Sequence, residues 1–230
     1  MTTTERPATM CEAFQRTAAI DPDAIALRTP GGTQTLTWRE YAAQVRQVAA
    51  GLAGLGVRRG DTVTLMMANR IEFYPFEVGA QHVGATSFSV YNTAPAEQLT
   101  YLFANAGTKV AICEEQYVDR IRASGAPIEH IVCIDGSPAG TISLDDLYAA
   151  AQKDFDFEST WRAVQPDDVV TLIYTSGSAA AIARPSDTTV TWVPNISWAY
   201  RAVIRSAMCA DGKNDVIRSP NLMPSTASRP

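Results

Sequence analysis

The chain has 230 residues, of which 46% are hydrophobic and 19% charged, and its net charge is −5. That length fits one large domain or two small ones, and allows about 70% of the unfolded chain's surface to be buried. The acidic balance, with no basic stripe interleaved with aromatics, argues against a nucleic-acid binder. No apolar run approaches the ~18 residues of a membrane span, and the N-terminus MTTTERPATM has no apolar signal region, so a cytoplasmic protein is expected.

Taken in chain order, Ala24–Thr29 (AIALRT) is a short strand, Pro30-Gly31-Gly32 a turn, and Thr33–Thr37 a second strand. Thr37 followed by Glu40 has the spacing of a capping box. The helix it opens carries Tyr41, Val45, Val48, Leu52 and Leu55 at helical spacing and ends at Gly56. Asp61–Ala68 reads as a buried strand. Ile71–Val83 reads as a helix, with Pro75 expected to kink or shorten it. Ala85–Tyr91 is a further strand. A helix starts at Pro95 and presents Leu99, Leu102, Phe103 and Ala106 on one face. Lys109–Cys113, the helix Glu115–Ser124 and Ile131–Ile134 follow, and then a short helix capped by Ser143 that ends near Ala151. Residues 152–167 read as a polar connector, and Val169–Tyr174 as the last strand. Short apolar strands alternating with helices predict an α/β fold of layered, mostly parallel sheets flanked by helices.

The four cysteines, Cys11, Cys113, Cys133 and Cys209, are far apart, and the two histidines are His82 and His130. No Cys-x-x-Cys spacing occurs, so no zinc site is expected and the thiols read as buried and free. His82, in an apolar segment, is expected to be structural or at the surface rather than a substrate gate. Asp167-Asp168 reads as a polar entry to a strand rather than a metal site. Tyr91-Asn92-Thr93, before Ala-Pro, fits strand-end turn chemistry.

Thr175-Ser176-Gly177-Ser178 follows the last strand and offers three hydroxyls and a glycine, a set suited to phosphate oxygens. Such a cluster also occurs in ordinary turns. Its context is more specific. The run from Asp167 to Ser178 resembles the phosphate-loop signature of the adenylate-forming superfamily, which includes acyl-CoA synthetases, luciferases and peptide-synthetase adenylation domains. Leu36–Tyr41, Ala49–Leu52, Gly56–Val63, Asn69–Phe73, Gly84-Ala85, Ser89–Thr93 and Glu97-Gln98 resemble further pieces of its N-terminal part, in the right order and closest to long-chain fatty acyl-CoA ligases.

The resemblance implies ATP- and Mg²⁺-dependent activation of a fatty acid to an acyl-adenylate, followed by transfer to CoA. It implies that Thr175, Ser176, Gly177 and Ser178 bind nucleotide phosphate, and it offers a place near a substrate tunnel as the alternative to turn chemistry for Tyr91-Asn92-Thr93. The family pattern continues with a hydroxyl residue, glycine, a variable residue, proline, lysine and glycine. Here Ala179, Ala180, Ala181, Ile182, Ala183, Arg184 and Pro185 follow instead. Alanine where a glycine needs positive φ costs about 1–2 kcal/mol, and a lost charged hydrogen bond about 1.5–3 kcal/mol. Arg184 differs from the lysine in spacing and fork geometry. No residue is assigned as catalytic.

Charge divides at the same place. Residues 1–178 hold 13 basic and 21 acidic side chains, a net of −8, and residues 179–230 hold 6 and 3, a net of +3. Residues 1–178 are therefore expected to be a partial N-terminal AMP-binding domain. Residues 179–230 are expected to be a divergent, poorly ordered tail such as a reading-frame change produces. The expected function is that of a truncated fatty-acid–CoA ligase inactive on its own, dependent on a complementing chain, or a non-catalytic interaction module.

Overall fold

The structure is a computed structural model that describes residues 6–174 and the backbone of residues 180–183. Its centre is a seven-stranded sheet of order β7-β6-β5-β3-β4-β8-β9. The strands are β3 (Thr62–Met66), β4 (Thr86–Ser89), β5 (Thr108–Cys113), β6 (His130–Cys133), β7 (Ile142–Ser143), β8 (Thr171–Tyr174) and β9 (Ala180–Ala183). All neighbours are parallel except β8 and β9. The predicted mostly parallel α/β architecture is therefore present. A separate two-stranded antiparallel ladder joins β1 (Ile25–Arg28) to β2 (Thr35–Thr37) across a turn at Pro30–Gly32 in which both glycines have positive φ.

The strand order explains how the helices divide between the two faces. From β3 the chain moves one way to β4, then back past β3 to β5 and on to β6. Right-handed crossovers put the first connecting helix on one face and the next two on the other. Accordingly α3 (Phe73–His82) lies with α1 (Met10–Ile20), α2 (Trp38–Gly54), α6 (Leu144–Ala149) and α7 (Phe157–Arg162). Their side chains pack with Val63, Leu65, Val110, Ile112 and Val132. On the opposite face α4 (Ala96–Ala106) and α5 (Glu115–Ala123) cover Met66, Phe88, Ala111, Cys113 and Cys133. Val132 and Cys133, adjacent in sequence, thus serve different cores, as the two-residue period of a strand requires.

Local signals account for most boundaries. The Thr37–Glu40 capping box is made in both directions, and Gly56, at φ 87°, follows the end of α2 as expected. Of the two effects expected of Pro75, shortening rather than kinking is seen, since α3 starts at Phe73 and not at Ile71. Pro75 sits in the first turn of α3, where a backbone N–H would lack an intrahelical partner anyway. Two expectations change. The connector 152–167 contains α7, capped by the Asp156 side chain accepting from the Ser159 N–H, with Phe157 and Trp161 buried one turn apart. Helix α1, capped by Thr9, packs Phe14 at the centre of an aromatic cluster.

Gly51 and Gly54 on α2 let α6 approach closely. A Cβ at Gly51 would collide with the Leu147 carbonyl, and one at Gly54 with the Ala150 carbonyl. Gly→Ala in an open helix site stabilises by about 1 kcal/mol. Gly54→Ala is expected to do the reverse, because α6 must move to admit the methyl. The measurement is the thermal midpoint, with each kcal/mol lost worth roughly 2–4 °C in a chain of this size.

Candidate functional site

Ligands of open parallel sheets bind beyond the carboxyl ends of the strands. β8 runs parallel to β4, with Ser87 opposite Thr171, so its carboxyl end at Tyr174 shares an edge with those of β3 to β6. Thr175, Ser176, Gly177 and Ser178 follow directly from that end and lie outside the described residues, as do Arg184 and the rest of 184–230. Residues 180–183 are described, and they bear on the loop. They form β9, which pairs back on β8 with Ala180 opposite Tyr174 and Ala183 opposite Thr171. By resemblance Ala180 and Ala181 belong to the second half of a phosphate loop. Here their backbone is drawn into a ladder.

The end of β8 is held by α4. The Tyr174 hydroxyl donates to Asn105 Oδ1 at 2.8 Å, and its ring packs on Phe88 with centroids 5.6 Å apart. Burial, and secondarily the Tyr101 phenol, raise the Tyr174 pKa. Tyr101 itself is 50% exposed.

A second arrangement sits at the carboxyl ends of β3, β5 and β6, where the loops after β3 and β5 leave toward opposite faces. Arg70 contacts Glu72 at 2.9 Å, Asp135 at 2.9 Å and Glu114 at 3.5 Å. Glu114 is buried and also accepts the Ala68 N–H, and Asp135 accepts the Glu115 N–H at 2.8 Å. The bond to Glu72 chiefly raises the Arg70 pKa, and the same bond lowers that of Glu72. One guanidinium shared by three carboxylates has no charge to spare for an anion, so this crevice is closed by the protein's own ions. The resemblance marked Arg70 and Glu72 only as part of a helix start. The signal for the cluster was charge placed just after buried strands, with Glu114 following Cys113 and Asp135 two residues past Cys133.

The other sequence candidates are structural. Asp168 takes both Arg59 Nε and Nη2 at 2.7 Å and accepts the Gln165 N–H at 2.8 Å. Its pKa is lowered, first by Arg59. Among the described residues no group of three or more His, Cys, Asp or Glu is placed to hold a metal. His82 is fully buried, with Nδ1 2.8 Å from the Val78 carbonyl, Nε2 3.0 Å from Gln15 Nε2, and its ring stacked on Phe157. The Tyr91 carbonyl accepts the Ala94 N–H at 2.9 Å and Arg120 donates to the Asn92 carbonyl, which is turn chemistry. Cys11, Cys113 and Cys133 are buried and free, and burial pushes the first two thiols up to about 12, far from reactive thiolates. Cys209 lies outside the described residues.

Comparison with known proteins agrees with this fold. Residues 14–181 match the AMP-binding enzyme family. The chain is 86% identical over 138 residues to the uncharacterized protein Rv1549 of Mycobacterium tuberculosis (strain ATCC 25618 / H37Rv), covering 60% of this chain and 79% of that protein. It is 80% identical over 40 residues to a protein of Mycobacterium tuberculosis (strain CDC 1551 / Oshkosh) that carries the name fatty-acid–CoA ligase fadD11, covering 17% of this chain and 7% of that one. Among solved structures, the anthranilate CoA ligase AuaEII in complex with anthranoyl-AMP superposes with a TM-score of 0.67 at 22% identity, over 80% of this chain and 36% of that one. The chain thus spans about a third of that ligase and a small part of fadD11. The parallel sheet, the loop sequence at the end of β8 and the match over residues 14–181 together place the chain in the AMP-binding enzyme family, with the fold of the N-terminal domain of adenylate-forming ligases.

Proposed function

We propose that this chain is a fatty-acid–CoA ligase domain that has lost its grip on triphosphate and makes no acyl-adenylate unaided. The ancestral reaction is ATP- and Mg²⁺-dependent activation of a fatty acid, followed by acyl transfer to CoA. The observation that carries the reading is the fate of the loop. The family match stops at residue 181, inside β9, and 49 further residues follow. Thr175, Ser176, Gly177 and Ser178 keep donors suited to phosphate, whereas alanines replace the glycine and lysine part of the pattern, and Ala180 to Ala183 pair with β8. The donor set therefore fits half of a triphosphate site. A preorganised donor to developing charge is typically worth about 10²–10³ in rate, so its loss removes most turnover even where binding persists. ATP–pyrophosphate exchange with a panel of fatty acids is expected to stay at background for the purified full chain. Fatty-acid-dependent exchange above that level overturns the proposal.

A further inference from the structure

At β8 the sheet is paired on both edges but its faces are only partly covered. None of the four residues of β8 is buried, although β3, two strands away, is buried throughout. Leu172 and Tyr174 lie on the α4 side, against the core that contains Phe88 and Phe103, and remain only partly covered. Tyr101, one turn before the Asn105 that Tyr174 bonds on α4, is half exposed, one of four large apolar or aromatic side chains that are exposed among the described residues. A strand paired on both edges, by β4 and β9, yet left half covered on its faces is the pattern of a core interrupted partway.

We propose that this surface, formed by Leu172, Tyr174 and Tyr101, docks the remaining part of an adenylate-forming ligase carried on a separate polypeptide, so that the chain serves as one half of a split domain. The occupant is argued from two facts. The match to the family ends at residue 181, in β9, while the chain continues for 49 residues. Two polypeptides of one M. tuberculosis strain also share stretches with this chain at 80–86% identity, one over 138 residues and the other, a ligase by name, over 40 residues that make up 7% of its length. The inference rests on the proposed loss of the phosphate loop in one respect: the partner must bring the missing phosphate contacts. Docking itself needs only the surface.

The test mixes the full chain with purified fadD11 polypeptide in sedimentation velocity. A 1:1 complex is expected, weakened at least tenfold by Tyr101→Glu, with unchanged thermal midpoint and circular dichroism for the variant alone. Leu172→Glu is expected to act in the same direction. Absence of a complex, a complex indifferent to Tyr101→Glu, or a homodimer that this variant abolishes overturns the proposal. So does strong hydrogen-exchange protection of residues 171–174 in the free monomer, which means that the chain covers its own surface. Exchange activity is read separately: turnover by the chain alone sinks the reading of a lost loop and leaves the docking result to stand or fall on sedimentation.

Discussion

Replacing Phe14 by alanine is expected to cost about 3–5 kcal/mol, the range for deleting a buried phenyl ring. Phe14 is 1% exposed and meets three rings edge-on, Tyr41 at 4.9 Å, His82 at 5.3 Å and Trp38 at 5.8 Å. It therefore joins α1 to α2 and α3 by contacts that no neighbour can replace. Edge-to-face pairs add about 0.5–1.5 kcal/mol beyond area burial, which places this site toward the upper end. Domains hold about 5–15 kcal/mol in total, so the variant should be marginal at room temperature. Urea unfolding of the full chain measures it. A shift in midpoint worth less than about 1 kcal/mol would mean that α1 does not anchor the helical layer as described.

The second large effect is on pH dependence, and two buried groups oppose each other in it. Burial raises the Glu77 pKa from 4.5 to about 7. Burial likewise lowers that of His82 from 6.5 to about 4, against the Val78 carbonyl bond that raises it. For Glu77 the folded chain holds its proton more tightly than the unfolded chain. Its contribution is complete below about pH 4.5 and lost as pH rises to about 7. For His82 the unfolded chain binds the proton better, so its contribution is complete above about pH 6.5 and lost as pH falls to about 4. Each shift is worth about 3 kcal/mol, and between pH 4.5 and 6.5 the two slopes cancel. Glu77→Gln removes one of them. The variant should match its parent near pH 4 and exceed it by up to about 3 kcal/mol at pH 8, in paired denaturation curves across that range. Equal curves at pH 8 would show that the carboxylate reaches water in the folded chain. The Tyr41 hydroxyl, whose pKa is raised by burial first and by the Glu77 charge second, is buried with no hydrogen-bond partner. The α2–α3 contact thus carries two polar groups that an apolar core would not choose.

The legible parts of the fold were those with strong local signals. Apolar runs such as Thr62–Met66, the Thr37–Glu40 box and the glycine after α2 each encode their element within a few residues. Helix α7 was missed because its six residues are mostly polar, and its two anchors, Phe157 and Trp161, make only one apolar turn. The Arg70 cluster was missed for a different reason. Its members lie 2, 44 and 65 residues from the arginine and meet only because β3, β5 and β6 end side by side. For the loop, residue chemistry could be read as far as Ser178. That the next residues would turn back as β9 could not, since Ala-Ala-Ile-Ala suits helix, strand or linker until a neighbouring edge claims it.

The place of β8 has a consequence for synthesis. Its pairing partner Ser87 precedes Thr171 by 84 residues. At roughly 5–20 residues per second a ribosome takes about 4–17 s to cover that distance. During that interval β5 and β6 are made and can join β3, while β4 keeps one flank bare. The nascent polypeptide therefore exposes a strand edge for seconds in every round of translation, and chaperone demand should concentrate on that flank.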